Sequence, residues 1–356
     1  MLKFCNAAVL EVLDMPLVIK NIEIPGLEEG QVLVKVLFSG VCRSQLMEVR
    51  GGRGNDPWLP HLLGHEGSGI VLAVGQNVTK VKPGDEVILG WLKGEGLDPE
   101  GAKYTCGLEA INSGKVTTFS NYTISAESRV SLKPKGLSFE AAVLFGCALP
   151  TGAGMILNEL MPSVDNSVIV LGLGGIGMSA LATLKALNIS TIIAIDSLDE
   201  KLELARELGA THCFDSKDIG FKKAIIDMTR GGADMCIESA GQVSTIELGF
   251  SLIRKNGGQL LFASHPPEGQ SIRLAPHELI SGKKIAGSWG GSSHPDRDIP
   301  RLYSLFKNAH TPLNLLVTKR YTLDQINLAL TDLEAGKVFR PLIEMQHPES
   351  SLEEWA

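Results

Sequence analysis

Residues 168–196 constrain this chain more than any other stretch. Val168-Ile-Val-Leu171 reads as a strand buried on both faces. It runs straight into Gly172-Leu-Gly174-Gly175-Ile176-Gly177, where glycines permit a tight turn and a close backbone approach to another group. Residues 178–187 carry apolar helical spacing with small residues toward the sheet. A second apolar run, 192–196, ends in Asp196, about 20 residues past the turn. Strand, glycine turn, helix, strand and terminal acid together describe a dinucleotide site. Free N–H groups and the helix dipole favour a pyrophosphate at the helix start, and the acid meets the ribose hydroxyls. The glycine pattern without these flanks would be an ordinary turn.

The chain around this unit has 356 residues, enough for two domains. Residues 1–150 hold short strands at 31–38, 69–75, 86–90, 121–125 and 129–133, with a turn at 81–85. They read as a β-rich, partly open barrel-like domain. Beyond 150 the pattern alternates. Helices are expected at 199–208, 221–228 and 244–255, and strands at 211–214, 233–238, 258–263 and 283–289, giving a doubly wound parallel sheet. The tail, 291–356, offers two helices and a strand at 338–344. It is too short for a domain and is expected to pack on the N-terminal half. A net charge of −7 without a basic cluster argues against nucleic acid as partner. No apolar run of spanning length argues against a membrane, so a soluble cytoplasmic protein is the default expectation. The six cysteines are scattered and read as reduced thiols or metal ligands rather than disulfides.

Three separated clusters carry the reactive side chains: Gly40-Val-Cys42-Arg43-Ser44, Gly64-His65-Glu66-Gly67 and Gly146-Cys147-Ala-Leu-Pro-Thr151-Gly152. Thiolate, imidazole and carboxylate can make a tetrahedral zinc set of Cys42, His65, Cys147 and either Glu66 or water. A lone cysteine or histidine is more often a buried, satisfied group than a ligand, and the residues alone leave both readings open.

These clusters, together with Gly69-x-Val71, Val81-Lys-Pro-Gly-Asp85, the glycine turn and Gly336-Lys-Val-Phe-Arg340, resemble the zinc-dependent medium-chain dehydrogenase/reductases, the alcohol dehydrogenase superfamily, nearly end to end. The resemblance implies an α/β fold, with a Rossmann doubly wound parallel sheet (151–290) inserted in a β-rich GroES-like catalytic domain (1–150 and 291–356). It implies one catalytic zinc on Cys42, His65 and Cys147, with Glu66 beside the metal and able to enter its shell. Ser44 matches the hydroxyl that takes the substrate's proton. Arg43 and Arg340 match pyrophosphate contacts. Thr151, Gly172, Gly174, Gly175, Ile176, Gly177, Asp196 and Lys201 complete the cofactor set, with Asp196 selecting NAD over NADP. Trp91 and Phe119 match the lining of the substrate pocket. Copies of the family pair through the strands near 258–290, so a homodimer or homotetramer is implied.

The implied activity is hydride transfer between NAD(H) and an alcohol, polyol or sugar hydroxyl, or the matching carbonyl. A zinc-free reductase of the same superfamily and a non-catalytic protein on this scaffold are the alternatives. The chain departs from the family at four places. Gln45 stands where an acid usually supports the zinc-ligand histidine. Met47 replaces a histidine that relays the proton to solvent in some members, with His61 as a candidate substitute. The lobe 90–106 keeps one cysteine, Cys106, so no structural zinc is expected. The loop 50–57 is polar and charged, and Trp58 follows it.

Overall fold

The computed structural model describes residues 3–317 and 319–347; the end of the predicted tail, 348–356, lies outside them. The chain divides into two compact units. One runs through Cys147 and adds His294–Pro300 and the chain from Leu316; the other is Ala148–Ser293 with Arg301–Leu315. Arg301–Leu315 therefore groups with the second unit and not with the tail. Within that unit Arg301 donates to Asn158 Oδ1 at 3.2 Å.

The second unit is built on a parallel sheet. Its order is His212–Asp215, Thr191–Asp196, Ser167–Leu171, Met235–Glu238, Gln259–Phe262 and Lys284–Gly287. The order reverses direction at Ser167–Leu171, which puts the glycine turn at the topological switch point. Ile169, Leu171, Ile193, Ile195 and Cys236 bury their side chains in one core with Ile246 and Phe250 of the helix Val243–Leu252. That core explains why these strands read as continuous apolar runs.

The first unit carries two antiparallel-rich sheets. The longest strand, Gln31–Gly40, pairs with Glu66–Val74 on one side, with register shifts between Leu33 and Val34 and between Val36 and Phe38. It also pairs with Tyr122–Ala126 and, at its end, with Pro341–Glu344. The chain's last described strand thus seats Leu342 opposite Gly40, against the segment that leads into Cys42. The smaller sheet runs His61–Leu62, Phe4–Leu10, Val18–Glu23, Tyr104–Cys106 and Glu109–Ile111. No single helix among the described residues is long and apolar enough to cross a membrane.

His347 closes the described tail. Its Nε2–H donates to the Val36 carbonyl at 2.8 Å, and its ring stands edge-on to Tyr122 at 5.1 Å between centroids. Burial pushes its pKa down to about 4. A histidine depressed in the folded state leaves the unfolded chain holding more protons between pH 4 and 6.5, so stability is lost as pH falls through that window. Denaturant midpoints of the wild-type protein should drop between pH 7.5 and 4.5. His347→Phe, which keeps the contact with Tyr122, should flatten that drop; an identical pH dependence in both proteins would refute this.

Candidate metal centre and dinucleotide site

Cys42 follows the strand Gln31–Gly40 as the N-cap of the helix Arg43–Val49. His65 immediately precedes the strand Glu66–Val74, and Cys147 follows the short turn Leu144–Gly146. Three elements distant in sequence deliver their ligand atoms to one point, all within 4.8 Å of one another. His65 Nε2 lies 3.2 Å from Cys147 Sγ. The Cys147 thiol donates to Cys42, which holds the Cys42 thiol well below its ordinary range against the opposing effect of burial; the charge of Arg340 and a hydrogen bond from His65 assist. Cys147 is pushed well above its ordinary range by that same bond and by burial. Two thiols and an imidazole converging at this spacing are the donor set of a tetrahedral zinc centre with one position left for substrate. Ser44 Oγ, one helical residue past Arg43, is buried and has no hydrogen-bond partner among the described residues. A buried hydroxyl left without a partner is costly and marks a place for a ligand group. The residues fit the metal and the substrate oxygen that the family pattern implies.

Glu66 stands outside this three-atom cluster. It is fully buried, and its Oε2 accepts from Arg340 Nη2 at 2.5 Å. Burial raises its pKa to about 7, although Arg340 pulls in the other direction. Gly40 makes room for it: a Cβ there would lie 2.5 Å from Glu66 Oε1. Arg340, expected on a pyrophosphate, is buried and pairs with Glu66. Arg43 is exposed, as a phosphate-binding cation would be. Phe119, expected to line the pocket, is 1% exposed and belongs to the core with Leu63 and Val71. Trp91 is half-buried, with its backbone N–H on the Gly146 carbonyl at 3.3 Å, beside the turn that carries Cys147.

His61, the candidate substitute for the relay histidine, is not on the surface. It is buried, with Nδ1 against the Leu62 carbonyl at 2.9 Å and Nε2 against Asp56 Oδ2 at 2.8 Å. Glu48 joins Asp56 and His61 in a second compact group. Both carboxylates already have partners: Arg53 pairs with Glu48 at 3.2 Å, and the Trp58 N–H donates to Asp56 Oδ1 at 2.9 Å.

In the second unit, Gly172 has φ +88°, and a Cβ would lie 2.6 Å from the Ala240 N. Only glycine fits there. Gly174 caps the helix Gly175–Ala186, and a Cβ on it would meet nothing within 4 Å, which leaves the helix start open. Asp196 Oδ2 accepts from the Leu173 N–H at 2.7 Å, and its Oδ1 accepts from the Ser197 and Leu198 N–H groups. Lys201 Nζ is 3.4 Å from Oδ2. The acid is thus fixed in place by the turn it is meant to serve. Thr151 is buried in the helix Ala148–Gly154 of the same unit.

Sequence reasoning missed Glu238. Its Oε1 accepts from the Ala240 and Gly241 N–H groups, each at 2.9 Å, and from Thr245 Oγ1 at 2.7 Å. It pins the loop that packs against Gly172. The available signal was an acid closing an apolar strand, Met235-Cys-Ile-Glu238, as Asp196 closes its own.

Family models locate both halves of this arrangement in known proteins. Residues 28–135 match the alcohol dehydrogenase GroES-like domain, and residues 175–308 match the zinc-binding dehydrogenase domain. The alcohol dehydrogenase zinc-binding domain protein of Burkholderia ambifaria is similar at 30% identity and TM-score 0.89, over 97% of this chain and 100% of the other. The chain belongs to the zinc-type medium-chain dehydrogenase/reductases. Benzyl alcohol dehydrogenase from Acinetobacter calcoaceticus is similar to this dehydrogenase at 31% identity and TM-score 0.88, over 97% and 100% of the two chains. The 2R,3R-butanediol dehydrogenase of Bacillus subtilis is similar at 26% identity and TM-score 0.78, over 96% and 99%. The GroES-like and Rossmann-type parts of the fold are those of an alcohol- or polyol-dehydrogenase-type oxidoreductase.

Proposed function

We propose that this dehydrogenase uses one zinc ion and NAD(H) to interconvert an alcohol or polyol with its aldehyde or ketone. The convergence of Cys42, His65 and Cys147, with the buried and unpartnered Ser44 hydroxyl two residues past Cys42 on the helix that Cys42 caps, carries this reading. Zinc held by these three side chains supplies Lewis-acid polarisation of the substrate oxygen. Ser44 Oγ accepts the proton that the substrate hydroxyl gives up. Met47, at the other end of the same helical turn, cannot carry it further, so the proton leaves Ser44 for water or a cofactor hydroxyl. Arg340 keeps positive charge against Glu66 and the sulfurs and so holds the thiolate side of the site ionised. Asp196 places a carboxylate at the turn and disfavours the 2′-phosphate of NADP by like charge. The edge strand Lys284–Gly287, flanked by the exposed Ile280 and Trp289, offers the surface for pairing two copies.

Metal analysis of protein purified without chelator or affinity-column metal should find one zinc per chain. A screen of alcohols, polyols, sugars and aldehydes, read by NADH absorbance, should then find turnover that is at least about a hundredfold more efficient with NAD than with NADP, since like-charge contacts cost several kcal/mol. Less than a tenth of an equivalent of zinc, with NADH oxidation indifferent to added metal, would favour the zinc-free reductase. Equal use of NADP would remove the role given to Asp196.

A further inference from the structure

Gln45 is 2% exposed and sits between two fixed groups. The Cys42 backbone N–H donates to its Oε1 at 2.9 Å, and its Nε2 contacts His65 Nδ1. Donor and acceptor chemistry leaves one consistent assignment. A backbone N–H can only donate, so the amide oxygen must face Cys42. The amide NH2 then faces the imidazole and can only donate, so Nδ1 must present its lone pair. A neutral ring in that state carries its proton on Nε2, the atom directed at Cys147 Sγ. Nε2 is also the nitrogen that points at the candidate metal position.

Metal binding needs the opposite tautomer. Nε2 must offer its lone pair, Nδ1 takes the proton, and that N–H needs an acceptor. Gln45 can supply one only by turning its amide over, which sets NH2 against the Cys42 N–H and breaks the contact at the start of the helix Arg43–Val49. The burial of Gln45 keeps water from making up the loss.

We propose that Gln45 is a positioning residue that weakens zinc binding: it holds His65 in the tautomer that cannot ligate and couples metal occupancy to a turn of its own amide. This rests on the zinc reading above. A carboxylate of the same length would accept from both Cys42 N–H and His65 Nδ1–H, removing the conflict with no change of shape.

The test compares full-length wild-type protein with Gln45→Glu, both stripped of metal. Zinc affinity is read by competition with a chromophoric chelator, and the protonated nitrogen of His65 by NMR on histidine-labelled wild-type protein. The variant should bind zinc at least about tenfold tighter. In metal-free wild type, His65 should carry its proton on Nε2, and in the zinc-loaded protein on Nδ1. Equal or weaker zinc binding by a folded Gln45→Glu overturns the inference and leaves the zinc reading standing. So does a metal-free wild-type His65 protonated at Nδ1, a result that does not depend on the variant folding. Zinc binding by neither protein overturns both.

Discussion

Cys147→Ala should lower kcat/KM by about a thousandfold and abolish tight zinc binding. Lewis-acid polarisation is worth several kcal/mol at the transition state, and each 1.36 kcal/mol is tenfold in rate. Alanine leaves two ligands, Cys42 and His65, where a catalytic set needs three and an open position. The substitution removes little volume, since alanine replaces a small buried side chain. NADH affinity is the control: Gly172, Gly174 and Asp196 belong to the other unit and should bind as before. Low activity with intact NADH binding places the damage at the metal. Activity above about a tenth of wild type, short of even a single 1.36 kcal/mol step, would end the zinc mechanism.

Arg340→Met should cost about 3–5 kcal/mol of stability, the usual penalty for stripping one partner from a buried ion pair. Glu66 is wholly inside the protein and Arg340 nearly so, their contact is 2.5 Å, and the residues lie 274 apart in sequence. Removing the guanidinium leaves a carboxylate that burial already pushes up to about 7 with its partner present. A loss of this size is a large part of the 5–15 kcal/mol that typically separates folded from unfolded domains. Urea unfolding, followed for the transition of the unit that holds the pair, should show the fall. The double variant Glu66→Gln, Arg340→Met should recover much of it, because a neutral amide leaves no unpaired charge. A single variant within about 1 kcal/mol of wild type would show that the pair is dispensable, as many exposed pairs are.

What could be read from the sequence follows the range of the forces involved. The second unit was legible because its signals are local. An apolar run makes a buried strand, a glycine with positive φ makes the turn, and an acid ends the next strand, all within about 30 residues, the size of a βαβ unit. Residues 86–90 were read as a strand and form one, Glu86–Gly90, for the same reason. The strands Phe4–Leu10 and Val18–Glu23 were not foreseen; they pair with each other and seat Cys5 and Ile22 in a small core that only the folded sheet creates. Cys42, His65 and Cys147 could be named as candidates from their residue types and from resemblance. Their convergence depends on three chain segments packed by the long strand Gln31–Gly40 and its neighbours. Where each remaining charge and ring ended up was decided entirely by packing. Arg340 is paired with Glu66 because burial penalises an unmatched carboxylate. Phe119 lies in the core because its ring fills space between strands. Gln45 faces His65 because the Cys42 N–H fixes its other end. Local periodicity set the elements of this dehydrogenase; the cost of burying polar groups unpaired set which of its side chains meet.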